Sequence, residues 1–188
     1  MKPYDLLPTS VLYKGTEYPL NLSYAAFFAV SDALIDDCLM YHQKLKIALD
    51  LFVTEAHPEE PELLNAIYQL LKDDKPKPTG PSYMSIEQDW QYICAGFMQA
   101  YGIDLYKDKD MHILEWQALL QGLPKGTKLL DIIGIRAAEI PEPTKHNQKQ
   151  IAELSRLKAI YALKGTAQDF QTGLGGLFDL LAAQASNK

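Results

Sequence analysis

The stretch Ser82–Pro124, SYMSIEQDWQYICAGFMQAYGIDLYKDKDMHILEWQALLQGLP, decides the fold. It reads as two helices joined by a short acidic loop at Tyr101-Gly102-Ile103-Asp104-Leu105. Ser85 is placed to accept from the backbone N–H three residues on, and Gln88 to reach back to Ser85, the capping-box pattern that starts a helix. Ile86, Trp90, Ile93, Cys94, Phe97 and Tyr101 then recur at helical spacings and share one face. Gly102 suits the left-handed conformation that ends a helix, and Ile103 is the apolar residue that folds back on the last turn. The second helix is expected to begin at Asp108 or Asp110, whose carboxylates suit the positive end of the dipole. Met111, Leu114, Ala118 and Gln121 make one line on it, with Trp116, Leu119 and Leu120 alongside, and Gly122 and Pro124 end it. Two stops so close to strong apolar faces imply an antiparallel pair or a tight corner, with Trp90 and Phe97 near Leu119 and Leu120.

Upstream, residues 10–22 predict a β-hairpin. Ser10–Tyr13 and Glu17–Leu20 are β-prone runs around a Lys14-Gly15-Thr16 turn, in which Gly15 supplies positive φ. Pro19 cannot donate to a ladder, so its strand belongs at an edge. A helix from Tyr24 to Asp36 follows, capped by Ser23, with Phe27, Val30, Leu34 and Cys38 on one face. The next runs from Leu39 or Tyr41 to Thr54, with Leu45, Ala48, Leu49 and Phe52 inward, unless the two form one bent helix. His57-Pro58-Glu59-Glu60-Pro61 then opens a third, Glu62–Lys72, with Leu63, Ala66, Ile67 and Leu70 inward. Lys75–Pro81 is proline-rich and reads as a linker within 73–82. Beyond Pro124, Thr127 is placed to cap a helix to Ala138 whose dense aliphatics imply burial on more than one side. A last helix, Thr144–Leu163, carries Ile151, Leu154, Leu157, Ile160 and Tyr161 on one stripe.

These elements predict a mainly α fold, a compact bundle of six or seven helices with a short N-terminal β-hairpin, forming one domain over 1–164. Residues 165–188 are glycine-thinned, with an apolar cluster and a short helix at Leu177–Ala185, and are expected to be flexible.

The chain has 188 residues, 47% of them hydrophobic, enough for a sizeable core, and a formal net charge of −6. That balance argues against nucleic acid as a partner, since phosphate neutralisation needs clustered Lys and Arg. The most basic stretch, Lys145–Lys164, reads as a solvated helix face. The start lacks a signal peptide's apolar run, and no run approaches the roughly 20 apolar residues that span a bilayer, so no membrane partner is expected. Cys38 and Cys94 sit in apolar helical patterns and read as small core residues in a reducing cytosol.

Chemistry-bearing patterns are sparse. His112 and Glu115 stand three apart on one predicted helix face, but the second histidine of a metalloprotease helix is missing. Asp104, Asp108, Asp110 and Glu115 match part of a calcium loop. Lys109 stands where its turn needs glycine, and Tyr106, which offers no carboxylate, stands at its third position. The histidines His42, His57, His112 and His146 fall in four separate segments, and no zinc spacing, nucleophile elbow or dinucleotide fingerprint occurs. The glycines of Gly173-Leu174-Gly175-Gly176 follow no strand, which excludes a phosphate loop. The expectation is therefore a non-enzyme that needs no cofactor or metal. Its candidate partner-binding residues are the aromatic flank residues Tyr92 and Trp116, and the apolar tail residues Leu174, Leu177, Phe178 and Leu181.

The run Ile86-Glu87-Gln88-Asp89…Ile93…Phe97…Tyr101-Gly102-Ile103-Asp104-Leu105, then His112…Leu119-Leu120-Gln121-Gly122-Leu123-Pro124, resembles the bacteriophage gene-product-fifteen family. Gly15-Thr16-Glu17-Tyr18-Pro19-Leu20-Asn21 and Lys46-Ile47-Ala48-Leu49-Asp50-Leu51-Phe52 are similar to its opening pattern, so the likeness covers residues 6 to 160. After His112 the family tends to have two aromatics and then Phe, where Ile113, Leu114 and Trp116 stand here. The resemblance implies a tail assembly chaperone of long-tailed phages or prophages of Gram-positive hosts. Its partner would be the tape-measure protein, with a second copy or a sister tail assembly protein as a further one. It would act in the host cytoplasm and be absent from the mature virion. A structural tail component is the alternative, and an enzyme with a spatially assembled site the third reading.

Overall fold

The computed structural model describes residues 6–72 and 82–164. Among them the chain forms a two-stranded hairpin and seven helices: β1 (Ser10–Tyr13), β2 (Thr16–Pro19), α1 (Tyr24–Ile35), α2 (Tyr41–Phe52), α3 (Pro61–Leu71), α4 (Ile86–Tyr101), α5 (Ile113–Gln121), α6 (Lys128–Ala137) and α7 (Gln148–Ile160). The fold is mainly α with an N-terminal hairpin. The 165–188 tail and all but Ser82 of the expected linker lie outside the described residues. The described chain gathers into two compact units, residues 6–72 with 108–118, and residues 82–107 with 119–164.

The first unit starts with a tighter hairpin than the sequence suggests. Thr16 pairs with Tyr13, so the turn is only Lys14-Gly15, and both take positive φ, 49° and 83°. That is the primed turn whose twist matches the strands. In this register Pro19 faces Ser10 at a non-hydrogen-bonded pair, so its missing N–H removes nothing from the ladder. The outer side of Pro19 is used instead: its carbonyl accepts from Thr54 N–H at 3.1 Å, and Asn21 N–H donates to the Phe52 carbonyl at 2.7 Å. The chain leaving α2 is thereby stitched to the hairpin. At the turn, Tyr13 Oη and Lys14 Nζ both donate to Glu60 Oε2, at 2.5 and 2.6 Å, which ties the hairpin to the start of α3. The hydrogen bond to the Glu60 carboxylate, which favours the protonated phenol, holds the Tyr13 hydroxyl above the ordinary phenol range.

Ser23 caps α1 as expected, its Oγ accepting from Ala26 N–H at 3.2 Å. The helix stops at Ile35, because Asp36 turns extended and its carboxylate accepts from Cys38 N–H at 2.8 Å. Cys38 is therefore exposed in the elbow between α1 and α2, not a core residue, while Cys94 is buried, and both thiols are free. Phe27, Val30, Leu34, Leu45, Ala48, Leu49 and Phe52 are buried as their spacing predicts. In α3 Leu63 and Ile67 are joined by Leu64, whereas Ala66 and Leu70 are only half-buried.

In the second unit, α4 begins at Ser85 and ends at Gly102, whose φ of 70° is the left-handed stop. Ser85 Oγ accepts from Gln88 N–H at 3.4 Å, but the reciprocal bond is made by Asp89, not Gln88: Asp89 Oδ2 accepts from Ser85 N–H at 3.0 Å. Gln88 instead makes two bonds to the backbone of Lys164, 2.8 and 3.0 Å. α4 meets the segment after Ala118 through Tyr101 and Gly96. Tyr101 Oη donates to the Leu119 carbonyl at 2.9 Å, and a Cβ at Gly96 would meet Leu123 at 3.2 Å. Thr127 occupies the N-cap of α6, yet its hydroxyl donates back to the Pro124 carbonyl at 3.2 Å and caps nothing. Leu129 and Ile132 are buried, with Leu130, Ile133 and Ile135 half-buried. α7 starts later than predicted, at Gln148, and has no fully buried residue.

Candidate functional site

Aromatic periodicity builds the centre of the first unit. Tyr24, Phe27 and Phe28 lie on successive turns of α1, and all three have ring neighbours. Trp116 stacks on Tyr24 at a centroid distance of 6.1 Å and meets Phe28 edge-on at 5.2 Å, while Phe27 meets Phe52 at 6.3 Å. Trp116 has 0% exposure. This corrects its placement on an accessible helix flank: α1 covers it, and in this fold it has no surface to offer a partner. Tyr92 is half-buried, beside Lys128 in the second unit, and keeps accessible area. Leu174, Leu177, Phe178 and Leu181 lie outside the described residues.

His112 joins two segments of the same unit. Tyr24 N–H donates to the Met111 carbonyl at 2.9 Å and Ile113 N–H to the Leu22 carbonyl at 2.8 Å, so His112 runs antiparallel to Ser23. This pairing delays α5 to Ile113, which is why Asp108 and Asp110 do not start it. The imidazole takes over the cap. Its Nδ1 accepts from Leu114 N–H at 3.1 Å, which leaves Nε2–H to donate to the Pro8 carbonyl at 3.0 Å. Burial holds its pKa below the usual imidazole range, against smaller opposing effects of the Pro8 carbonyl and the exposed Glu115. The ring is thus held neutral by its burial and by the Leu114 N–H that its Nδ1 accepts.

Two groups of charged side chains stand out. A recess of about 400 Å³ in the first unit is lined by Lys46, Asp50, Val53, Glu55, Ala56, His57 and Glu59. Lys46 bridges Asp50 at 3.3 Å and Glu59 at 3.0 Å, and His57 Nε2 approaches Asp50 Oδ1 at 3.3 Å. Its lining has no hydroxyl or thiol to serve as a nucleophile. Among the described residues no group of three His, Cys, Asp or Glu side chains is placed to hold a metal ion.

The other group is buried and sits in the second unit. Asp89 is 1% exposed on the face of α4 that carries Ile93 and Phe97. Arg136 meets it in a two-pronged pair, Nη1 to Oδ2 at 2.6 Å and Nη2 to Oδ1 at 2.8 Å. The same guanidinium donates to the Tyr83 carbonyl at 2.9 Å and, through Nε, to the Tyr161 carbonyl at 2.6 Å, closing the end of α7. Lys158 returns the arrangement. Its ammonium donates to the carbonyls of Arg136 and Ala138, both at 2.6 Å, and so closes the end of α6. Each helix lends a cation to the other's orphan carbonyls. A shallow cavity of about 240 Å³ beside Arg136 and Lys158 opens on Ser82, Tyr83, Ala162 and Leu163. With both cations engaged by protein oxygens, the arrangement fastens helices. The sequence carried a signal for it: Asp89 falls in line with Ile93 and Phe97, and Arg136, one of two arginines in the chain, ends an aliphatic run.

Large apolar side chains remain at the surface, among them Leu12 at 73%, Met40 at 67% and Tyr106 at 61% exposure. No described helix is long and apolar enough to cross a membrane. No curated protein and no solved structure matches the chain. A family model described as "Bacteriophage Gp15 protein" matches residues 4–163, which takes in the hairpin, all seven helices and the Asp89–Arg136 pair. The chain therefore belongs to the bacteriophage Gp15 protein family.

Proposed function

We propose that this protein is a non-catalytic tail assembly chaperone that binds the phage tape-measure protein and keeps it soluble in the host cytoplasm until the tail tube forms. The observation that carries the reading is membership of the phage family across 4–163. Two features of the molecule are in keeping with it. Its buried ion pair is internally satisfied, and large apolar side chains such as Leu12, Met40 and Tyr106 stay at the surface, where a long apolar helical client would find contacts. Such contacts are individually weak, which suits a binder that must later let go.

A structural tail component would share the family and the fold. Mass spectrometry of purified particles separates the two. A chaperone is expected in the lysate of infected cells and not in the particles, whereas a stoichiometric amount in washed particles would replace the chaperone reading with the structural one.

A further inference from the structure

Charge is divided unevenly between the two units. Among the described residues the first carries twelve acids against five lysines, and the second seven acids against nine basic residues. Three of the first unit's acids stand together at the elbow between α1 and α2. Asp32, Asp36 and Asp37 are exposed there around Ile35 and Met40, which are 57% and 67% exposed. Asp32 and Asp36 lie at the C-terminal end of α1, where the dipole disfavours negative charge and where the last turn holds no basic residue. Lys44, the cation that reaches this end, donates to the Leu34 carbonyl at 2.8 Å. No ion pair neutralises the three carboxylates within the described residues. The elbow is an apolar tip inside an acidic rim, built at a local cost.

The outer side of α7 has the opposite character. Lys149, Glu153, Arg156 and Ile160 follow at spacings of four, three and four, which places them on one stripe. All four are exposed, Ile160 at 58%. Glu153 is held by Arg156 at 2.9 Å, and Lys149 and the preceding Lys145 have no such partner among the described residues. The inner side of the helix is already committed to α6 through Lys158.

We propose that copies of this chain associate head to tail, the acid-rimmed α1–α2 elbow of one seated on the outer stripe of α7 of the next. Asp36 and Asp37 would face Lys149 and Arg156, and Ile35 and Met40 would cover Ile160. Because the two surfaces differ, each copy offers one of each, and the contact propagates into a ring or a filament instead of stopping at a symmetric pair. The inference is independent of the tape-measure reading and would stand for a structural component as well.

The test uses the full chain in sedimentation velocity over a range of concentrations, at low salt and at about 0.5 M salt, where screening shortens the reach of charge to a few ångströms. The wild type is expected to form oligomers larger than a dimer that weaken with salt. The doubly reversed elbow variant D36K/D37K and the doubly reversed helix variant K149E/R156E should each weaken association at least tenfold. All four positions are exposed, but D36K/D37K removes the Asp36 bond to Cys38 N–H and K149E/R156E the pair with Glu153, so unchanged circular dichroism with a slightly lowered thermal midpoint is expected for both. Mixed in equal amounts, the two reversed variants should regain oligomers, since every contact then joins opposite charges. Monomers at all concentrations, or a mixture that stays monomeric, would overturn the proposal. A second readout needs no variant. Carbodiimide coupling of mixed isotope-labelled and unlabelled wild type should give mixed-label peptides joining Asp36 or Asp37 to Lys149, and links confined to single copies would overturn it too.

Discussion

At the centre of the first unit a tryptophan with no exposed surface stacks on Tyr24 and meets Phe28 edge-on, and at the centre of the second an aspartate with almost none is gripped by an arginine. The first unit has apolar faces to spare, and α1, α2, α3 and the start of α5 close around rings and aliphatics. The second runs short of them, as α7 shows by burying no residue fully. There the helices are joined through backbone carbonyls, each closed by a cation from its neighbour. The difference teaches that a weakly amphipathic helix can be fastened by its ends when its face is insufficient. It also predicts different failures. Removing apolar bulk should loosen the first unit, whereas leaving a buried charge alone should loosen the second.

The largest effects break the comparison directly. Trp116→Ala should cost about 3–5 kcal/mol, as loss of a buried indole does, and speed amide exchange in α1 and α2. Arg136→Ala should cost about 3–5 kcal/mol by stranding the buried Asp89 carboxylate, with faster exchange at the start of α4 and in α6 and α7. Exchange measured by mass spectrometry on both variants decides it, and equal acceleration everywhere in both would mean that the two units are not held differently. A double-mutant cycle sharpens the second arm. Asp89→Ala combined with Arg136→Ala should cost clearly less than the two singles added, because no charge is then left alone. Additive costs would show that the pair is not coupled.

A smaller effect depends on pH. His112 is neutral in the folded chain with its pKa lowered by burial, whereas an unfolded histidine titrates near 6.5. The unfolded chain therefore binds the extra proton first, and the histidine's contribution to stability is complete above about pH 6.5 and is lost as pH falls from there to the lower native value. Protonating Nδ1 also removes the acceptor that caps α5. Denaturant unfolding across this range should show stability falling with acid in the wild type and a flatter profile in His112→Asn, whose amide oxygen keeps the cap. The same slope in both would assign the effect to other groups.

The smallest expected change is a gain. The Tyr41 hydroxyl is buried without a hydrogen-bond partner among the described residues, and burial, with Glu62 nearby, holds its pKa above the phenol range. Tyr41→Phe removes an unsatisfied group and should leave stability unchanged or raise it by up to about 1 kcal/mol. A loss in thermal unfolding would mean that the hydroxyl has a use.

Local signals in the sequence were enough for the helix starts at Ser23 and Ser85, the stop at Gly102 and the buried faces of α1 and α2, because caps and periodicity act within one or two turns. What escaped depends on distant contacts. The antiparallel pairing with Ser23 postpones α5 past two aspartates that look like caps, and only the tertiary path of the chain reveals it. Trp116 looks like a flank residue until α1 is laid over it. Asp89 and Arg136 are 47 residues apart, and neither announces the other. Cys38 was placed on an apolar face because the period continued past a stop that Asp36 makes with its own side chain. The apolar stripe of α7 is visible in the sequence, but not that Ile151, Leu154, Leu157 and Tyr161 stay half-covered while Ile160 faces outward with Lys149 and Arg156.

The central claim concerns a partner. Co-expression of this chain with a phage tape-measure protein, followed by affinity capture of the chain and quantification of soluble tape measure, tests it most directly. The chaperone reading predicts that the tape measure co-purifies and that its soluble fraction rises severalfold over expression alone. A tape measure that stays insoluble and uncaptured while this chain is folded and abundant would contradict it.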